Sequence, residues 1–261
     1  MPHFAANLSM LFTDRPLTAR FAAARAAGFD TVEIQFPYEV PLDELLAARD
    51  AARVAVVLIN LPAGDLMNGG DGIAGVPGRE AEIDAALTVA QPYIAGLGVR
   101  FVNVLAGRLA AGIRREQALD TLVASLVRVC RALAPLGVTV TCEAINPYDM
   151  PGYLINTVDD MLMLKQRVNE ANFGVQFDVY HMAKQDFCPL KLVKKHIQHI
   201  DHIQFADVPG RGAPGTGTLD FPALFTTLDQ LGYRGITAAE FKMHDENFMA
   251  FEWISSGNSS G

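Results

Sequence analysis

The feature that most constrains this chain is a repeated alternation. Eight runs of strand character are each followed by a run with helical spacing, and no linker or compositional break divides them. The strand runs fall at 4–12, 31–36, 54–61, 100–106, 138–145, 173–181, 203–208 and 235–241. The helical runs fall at 16–28, 42–52, 80–97, 114–136, 158–168, 190–200, 221–231 and 246–254. Val54 to Leu61 is almost wholly apolar, the pattern of a strand buried on both faces of a parallel sheet. The first helix is opened by Pro16 and stopped by Gly28. Eight such units in 261 residues are most simply a single (β/α)8 TIM barrel over residues 1–254, followed by a flexible Ser/Gly-rich tail at 255–261. An open doubly wound sheet is the alternative, but no Gly-x-Gly-x-x-Gly follows the first strand.

In a barrel of this kind, functional residues collect at the C-terminal ends of the strands. Glu143 lies near that end of Val138-Thr-Val-Thr-Cys-Glu-Ala-Ile145, a strand otherwise free of charge, where an unpaired carboxylate is costly. An ion pair or a set of backbone N–H donors would account for it alone. Asp178, Gln204 and Glu240 occupy the same place on the three strands that follow, and together the four suggest a shared task. Strand residues two apart share a face, so four inward side chains would bring three carboxylates and an amide oxygen together. That set suits a hard divalent cation, Mg2+ or Mn2+, better than a structural zinc. His181, three residues past Asp178, either touches substrate or caps the loop.

The formal net charge of −8 argues against a nucleic-acid partner. The three cysteines, Cys130, Cys142 and Cys188, are widely spaced and form no CxxC, which fits a reducing cytoplasm rather than a disulfide framework. No apolar run reaches membrane-spanning length and no cleavable leader is evident, so a soluble, unprocessed protein is expected. A homo-oligomer, dimer or tetramer, is a further expectation. Two Gly-rich loops, at 62–77 and 210–217, read as a substrate loop or lid and as a mobile lid.

Several motifs resemble the hydroxypyruvate isomerase-like family of the xylose-isomerase-type TIM-barrel group. They are Phe4-Ala-Ala-Asn-Leu-Ser-Met-Leu-Phe12, Gln35-Phe-Pro-Tyr38, Asn60-Leu-Pro-Ala-Gly-Asp65 and Pro77-Gly-Arg-Glu80 in the first half. Cys142-Glu-Ala-Ile-Asn146, Asp149-Met-Pro-Gly-Tyr153, Asp178-Val-Tyr-His181, His202-Ile-Gln-Phe-Ala-Asp-Val-Pro-Gly-Arg211 and Pro214-Gly-Thr-Gly217 follow. The resemblance implies that Glu143, Asp178, Gln204 and Glu240 bind the metal and that Glu143 and Glu240 also carry protons. Related ketose epimerases usually have His where this chain has Gln204, which favours the isomerase branch. The chain departs from the family pattern at Ala183-Lys-Gln-Asp-Phe-Cys188 and at Phe241-Lys-Met-His244, which bears on the substrate rather than the ligands.

The implied reaction is a metal-assisted aldose–ketose shift through an enediolate, hydroxypyruvate giving tartronate semialdehyde, with an oxo-tetronate or, further off, a ketose as the alternative substrate. An oxo-acid substrate calls for a cation, and Arg211 and Lys242 are the candidates. Asn7, Glu33 and Asn60, on the first three strands, either bind substrate hydroxyls or are hydrogen-bonded core groups. A glycosidase with two carboxylates would need more aromatic stacking surface than one Trp suggests. A nuclease would need several His ligands and a basic groove, and a binding protein without turnover is the non-enzyme reading.

Overall fold

Strands that are apolar on both faces must be covered on both, and the chain meets this demand by closing its sheet on itself. The structure, a computed structural model, describes residues 2–243, 251 and 253. Eight parallel strands form a closed barrel in sequence order: β1 (His3–Asn7), β2 (Thr31–Ile34), β3 (Ala55–Asn60), β4 (Phe101–Asn103), β5 (Thr139–Glu143), β6 (Phe173–Asp178), β7 (Ile200–Phe205) and β8 (Ile236–Ala239). Closure is made by β1 against β8, with Ala5 opposite Ala238 and Ala6 opposite Ala239. The (β/α)8 architecture expected from the alternation is therefore the observed one.

The helices are α1 (Leu17–Ala26), α2 (Leu42–Ala52), α3 (Glu80–Leu97), α4 (Arg115–Leu133), α5 (Val158–Val168), α6 (Val179–Ala183), α7 (Pro189–His196) and α8 (Phe221–Gln230). Their inner faces and the outward side chains of the strands make the larger core, which includes Phe21, Ile59, Leu122, Leu126, Val140, Phe205 and Phe221. A separate small apolar set, Ala5, Val57, Leu58, Phe101, Ile236 and Ala238, lies apart from it. Two residues further along their strands from Ala5, Leu58 and Phe101 come Asn7, Asn60 and Asn103, so the faces that are apolar below turn polar at the C-terminal ends.

Local chemistry fixes the ends. Thr157 and Asp160 form a reciprocal capping box at the start of α5, a device worth about 1 kcal/mol. The sixth strand stops at Asp178 instead of running to 181, because the Asp178 carboxylate accepts from the N–H of Tyr180 (2.7 Å) and of His181 (3.4 Å) and starts α6 at once. The first strand stops at Asn7, whose carbonyl accepts from Met10 and Leu11 N–H in a turn. The eighth expected helix, at 246–254, and the tail at 255–261 lie outside the described residues apart from Phe251 and Trp253. Trp253 packs edge-on against Phe4 and Phe205. No helix among the described residues is long and apolar enough to cross a membrane.

Candidate active site

The C-terminal ends of the strands surround a cavity of about 170 Å³. Gln35, Asn60, Glu143, Asp149, His181, Arg211 and Glu240 give it polar walls, and Phe36, Met67, Leu105, Ile145 and Met150 give it apolar ones. Glu143, at the end of β5, is held through Oε2 by Asn103 Nδ2 at 3.1 Å and Gln176 Nε2 at 3.0 Å. Burial and the neighbouring Asp178 push its pKa up to about 8, against the opposing pull of Arg211. Glu240 follows β8 directly, and burial raises its pKa well above the ordinary carboxylate range despite the Arg211 guanidinium beside it.

Glu240 Oε1 accepts from Gln35 Nε2 and Arg211 Nη2, both at 2.8 Å, while Oε2 is buried with no hydrogen-bond partner. Arg211 also reaches Asp178 at 3.7 Å and lies 4.9 Å from the centre of the Tyr180 ring. Burial alone would lower the Arg211 pKa, but Glu240, Asp178 and Glu143 around it raise it.

His181 sits on α6 with its ring buried, and burial lowers its pKa to about 4. It is therefore neutral near pH 7, and its approaches to Glu143 (3.5 Å) and Asp178 (3.6 Å) are not ion pairs. Its tautomer follows from Asn146. The Asn146 Oδ1 accepts from the N–H of Tyr148 and Asp149, which turns Nδ2 toward Asp149 Oδ2 at 3.1 Å and His181 Nδ1 at 2.7 Å. Nδ1 is thus an acceptor and Nε2 carries the proton, aimed at the two carboxylates.

Glu143, Asp178 and His181 offer ligand atoms within 4.8 Å of one another. The proton on His181 Nε2 makes that nitrogen a donor, so the oxygens are the better ligands. An orphaned buried Glu240 oxygen and a Glu143 carboxyl whose pKa is raised by burial and by the Asp178 beside it are what a divalent cation would satisfy, and the residues fit one.

Gln204 is buried and lies between Gln176, which donates to its Oε1 at 2.6 Å, and Glu33, which accepts from its Nε2 at 3.0 Å. A second lone pair of that Oε1 carries no hydrogen bond among the described residues. Asn7 is turned to Glu33 at 3.2 Å, and the fully buried Glu33 is also in contact with the His202 ring, so both belong to the packed barrel interior and not to the cavity wall. Asn60 lines the cavity. Lys242 is exposed and its backbone N–H donates to the Arg211 carbonyl. Glu240 and Lys242 come after β8 ends at Ala239, so the strand alternation that would have put them on one face does not extend to them.

Both Gly-rich loops are fastened. Asp65 Oδ1 binds Gly72 N–H and Arg79 Nη1, each at 3.0 Å, and Arg108 donates to the Leu66 and Gly70 carbonyls. A Cβ at Gly70 would press on the Asp65 carboxylate. The fully buried Asp207 carboxylate accepts from four backbone N–H groups, those of Val208, Gly215, Gly217 and Leu219, at 2.8–3.1 Å. A Cβ at Gly217 would strike the Val208 carbonyl oxygen. These bonds tie both loops down, and the second presents Arg211.

Sequence reasoning gave no role to Gln35, Asn103, Asn146, Asp149 or Asp207. All but Asn103 stand inside the motifs quoted above, whereas Gln176 carried the signal of sharing the Asp178 face of its strand.

A match to the family described as Xylose isomerase-like TIM barrel spans residues 21–255. The 2-oxo-tetronate isomerase of Cupriavidus necator is 39% identical over 254 residues, covering 97% of this chain and 98% of the relative. The hydroxypyruvate isomerase of Escherichia coli is 35% identical with the same coverage of both chains. A crystal structure from Brucella melitensis described as AP endonuclease, family 2, superposes with a TM-score of 0.93 at 34% identity, covering 98% of this chain and 99% of its own. That of an Escherichia coli 3-keto-D-glucoside 4-epimerase shares the fold, with a TM-score of 0.79 at 21% identity over 98% of this chain and 100% of its own. With closure, strand order and the polar barrel mouth already in agreement, this chain belongs to the xylose isomerase-like TIM-barrel family, in the branch whose members are named hydroxypyruvate isomerase and 2-oxo-tetronate isomerase.

Proposed function

We propose that the chain isomerises a short 2-oxo acid that bears a hydroxyl on the carbon next to its carbonyl. Hydroxypyruvate giving tartronate semialdehyde is the simplest case, and 2-oxo-tetronate giving 3-oxo-tetronate is its four-carbon counterpart. The observation that carries this reading is a pair of buried glutamates, Glu143 and Glu240, lining one small cavity together with an anchored guanidinium and an imidazole N–H. The names of the relatives at 35–39% identity support it.

Glu143, Asp178, Glu240 and the free lone pair of Gln204 Oε1 would hold a divalent ion, Mg2+ or Mn2+, which would polarise the carbonyl and offset the crowded negative charge. One glutamate carboxylate takes the proton from C3, and the electron pair left behind forms the C2–C3 double bond of an enediolate. The oxygen on C2 gains a proton and the hydroxyl on C3 gives one up. The other glutamate then delivers a proton to C2, so the carbonyl moves to C3 with no atom gained or lost. Two glutamates facing one cavity suit this work, one as the base and the other as the acid. His181 Nε2–H donates to a substrate oxygen, and Arg211 keeps Glu240 oriented.

The test is proton NMR in D2O on the Mg2+-loaded protein with each acid, comparing wild type with E143Q and E240Q. Both variants should fold and lose at least about 100-fold in turnover. Full turnover in both would remove the proton-carrying role, and a wild type that neither exchanges C3 protons nor forms product with either acid would remove the isomerase reading. A nuclease, the class named for the Brucella melitensis structure, is disfavoured by the net charge of −8 and by a cavity walled with carboxylates, which would repel a phosphate backbone.

A further inference from the structure

Asp178 shares its face of β6 with a buried amide two residues earlier, Gln176, whose polar atoms are all engaged. One Nε2–H reaches Glu143 Oε2 at 3.0 Å and the other reaches Gln204 Oε1 at 2.6 Å. Its own Oε1 accepts from the Thr141 hydroxyl at 2.8 Å. A single nitrogen thus ties together oxygens from the two strands that flank it, β5 and β7.

The orientation of both amides follows from their neighbours. Glu33 Oε2 accepts from Gln204 Nε2 at 3.0 Å, which turns Gln204 Oε1 toward Gln176 and requires Gln176 to donate. Glu143 Oε2 also accepts from Asn103 Nδ2 at 3.1 Å, so it is bonded twice, and Oε1 is the oxygen on the side of His181, 3.5 Å from Nε2. Two acceptor oxygens drawn to one place repel each other, and a donor shared between them offsets that repulsion. An unbonded amide would be costly at this depth, and this one is bonded at both ends.

We propose that Gln176 is a positioning residue of the divalent-cation site, whose one NH2 group sets the spacing of Glu143 and Gln204 around Asp178 before the ion arrives. This rests on the metal-assisted reading above. Gln176 stands behind the cavity wall, so it acts through the ligands and not on the substrate. Partners that orient metal ligands from behind contribute about 10–100-fold to affinity.

The experiment measures Mn2+ binding by calorimetry, and urea midpoints, for EDTA-stripped wild type, Q176M and L122A. Methionine keeps the length of the side chain and removes the NH2 group. Leu122 lies on α4 in the larger core, so its truncation lowers stability without touching a proposed ligand. Q176M should bind Mn2+ at least about tenfold more weakly than wild type, and L122A should bind it as wild type does. Equal affinity in Q176M and wild type overturns the proposal and leaves Gln176 as a bonded core amide. Equal weakening in Q176M and L122A also overturns it, because loss of stability then accounts for the change. If Q176M does not fold, T141V takes its place. That variant keeps Gln176 but frees its Oε1, and it should weaken Mn2+ binding by a smaller factor; unchanged affinity overturns the proposal. A wild type that binds no Mn2+ overturns the metal-assisted reading as well, whereas a wild type that binds it leaves that reading standing whatever the variants do.

Discussion

Arg211 and Glu240 form a buried ion pair in which one carboxylate oxygen is bound twice and the other not at all. Arg211 Nη2 and Gln35 Nε2 each lie 2.8 Å from Oε1, leaving Oε2 bare. Removing the arginine takes away the one cation among the described residues that pairs with this buried carboxyl group. R211M should lose about 3–5 kcal/mol of stability in urea, and much less in an E240Q background. Equal losses in the two backgrounds would show that the guanidinium stabilises the loop by other contacts.

Asp207 is expected to be as sensitive, though it touches no substrate. D207N keeps one acceptor oxygen and turns an NH2 group toward N–H donors, so at least about 2 kcal/mol should be lost. Amide exchange at Gly215, Gly217 and Leu219 should quicken, and turnover should fall because Arg211 rides on this loop. Unchanged protection of those amides would refute the role.

That loop shows where the sequence stops being readable. Strand–helix alternation and charge at strand ends are periodic signals, and they sufficed to place Glu143, Asp178, Gln204 and Glu240 at the C-terminal ends of β5 to β8. Asp207 acts by accepting backbone N–H groups up to twelve residues away, a relationship that leaves no spacing rule to detect. Its glycines read as flexibility, whereas at Gly217 the lack of a side chain permits close packing. Lys242 was assigned to the site by a two-residue alternation that had already ended. The early stop of β6 is likewise a side-chain event: Asp178 caps α6, and an apolar run through Val179 and Tyr180 hides it.

Acidity should matter to the metal-free protein. The Glu143 carboxyl is raised to about 8 in the folded chain from an unfolded value near 4.5, so the folded state holds a proton that the unfolded state has released between those two values. Stability should therefore fall as pH rises through this window, by an amount on the order of a few kcal/mol. Urea midpoints of EDTA-treated protein at pH 5.5, 7 and 8.5 measure it, and saturating Mg2+ should flatten the slope. A metal-free midpoint that stays level or rises would contradict the assignment.

The thiols should divide sharply. Burial pushes Cys130 and Cys142 up to about 12, whereas Cys188 is exposed. A colorimetric disulfide reagent should modify one thiol promptly in the native protein and three in urea, with C188S removing the fast phase. Fast reaction of a second thiol would mean that the barrel opens around β5 or α4.

The fastening of both mouth loops bears on how a ligand arrives. Asp65 with Arg79 and Arg108 on one side, and Asp207 on the other, hold their segments through backbone bonds that need no guest. Neither of these two loops has to be ordered when a small acid enters the cavity, so its affinity is not diminished by the entropy of folding either of them. Encounter should be a single bimolecular step whose rate rises linearly with ligand concentration, without the saturation that a slow closing motion would impose.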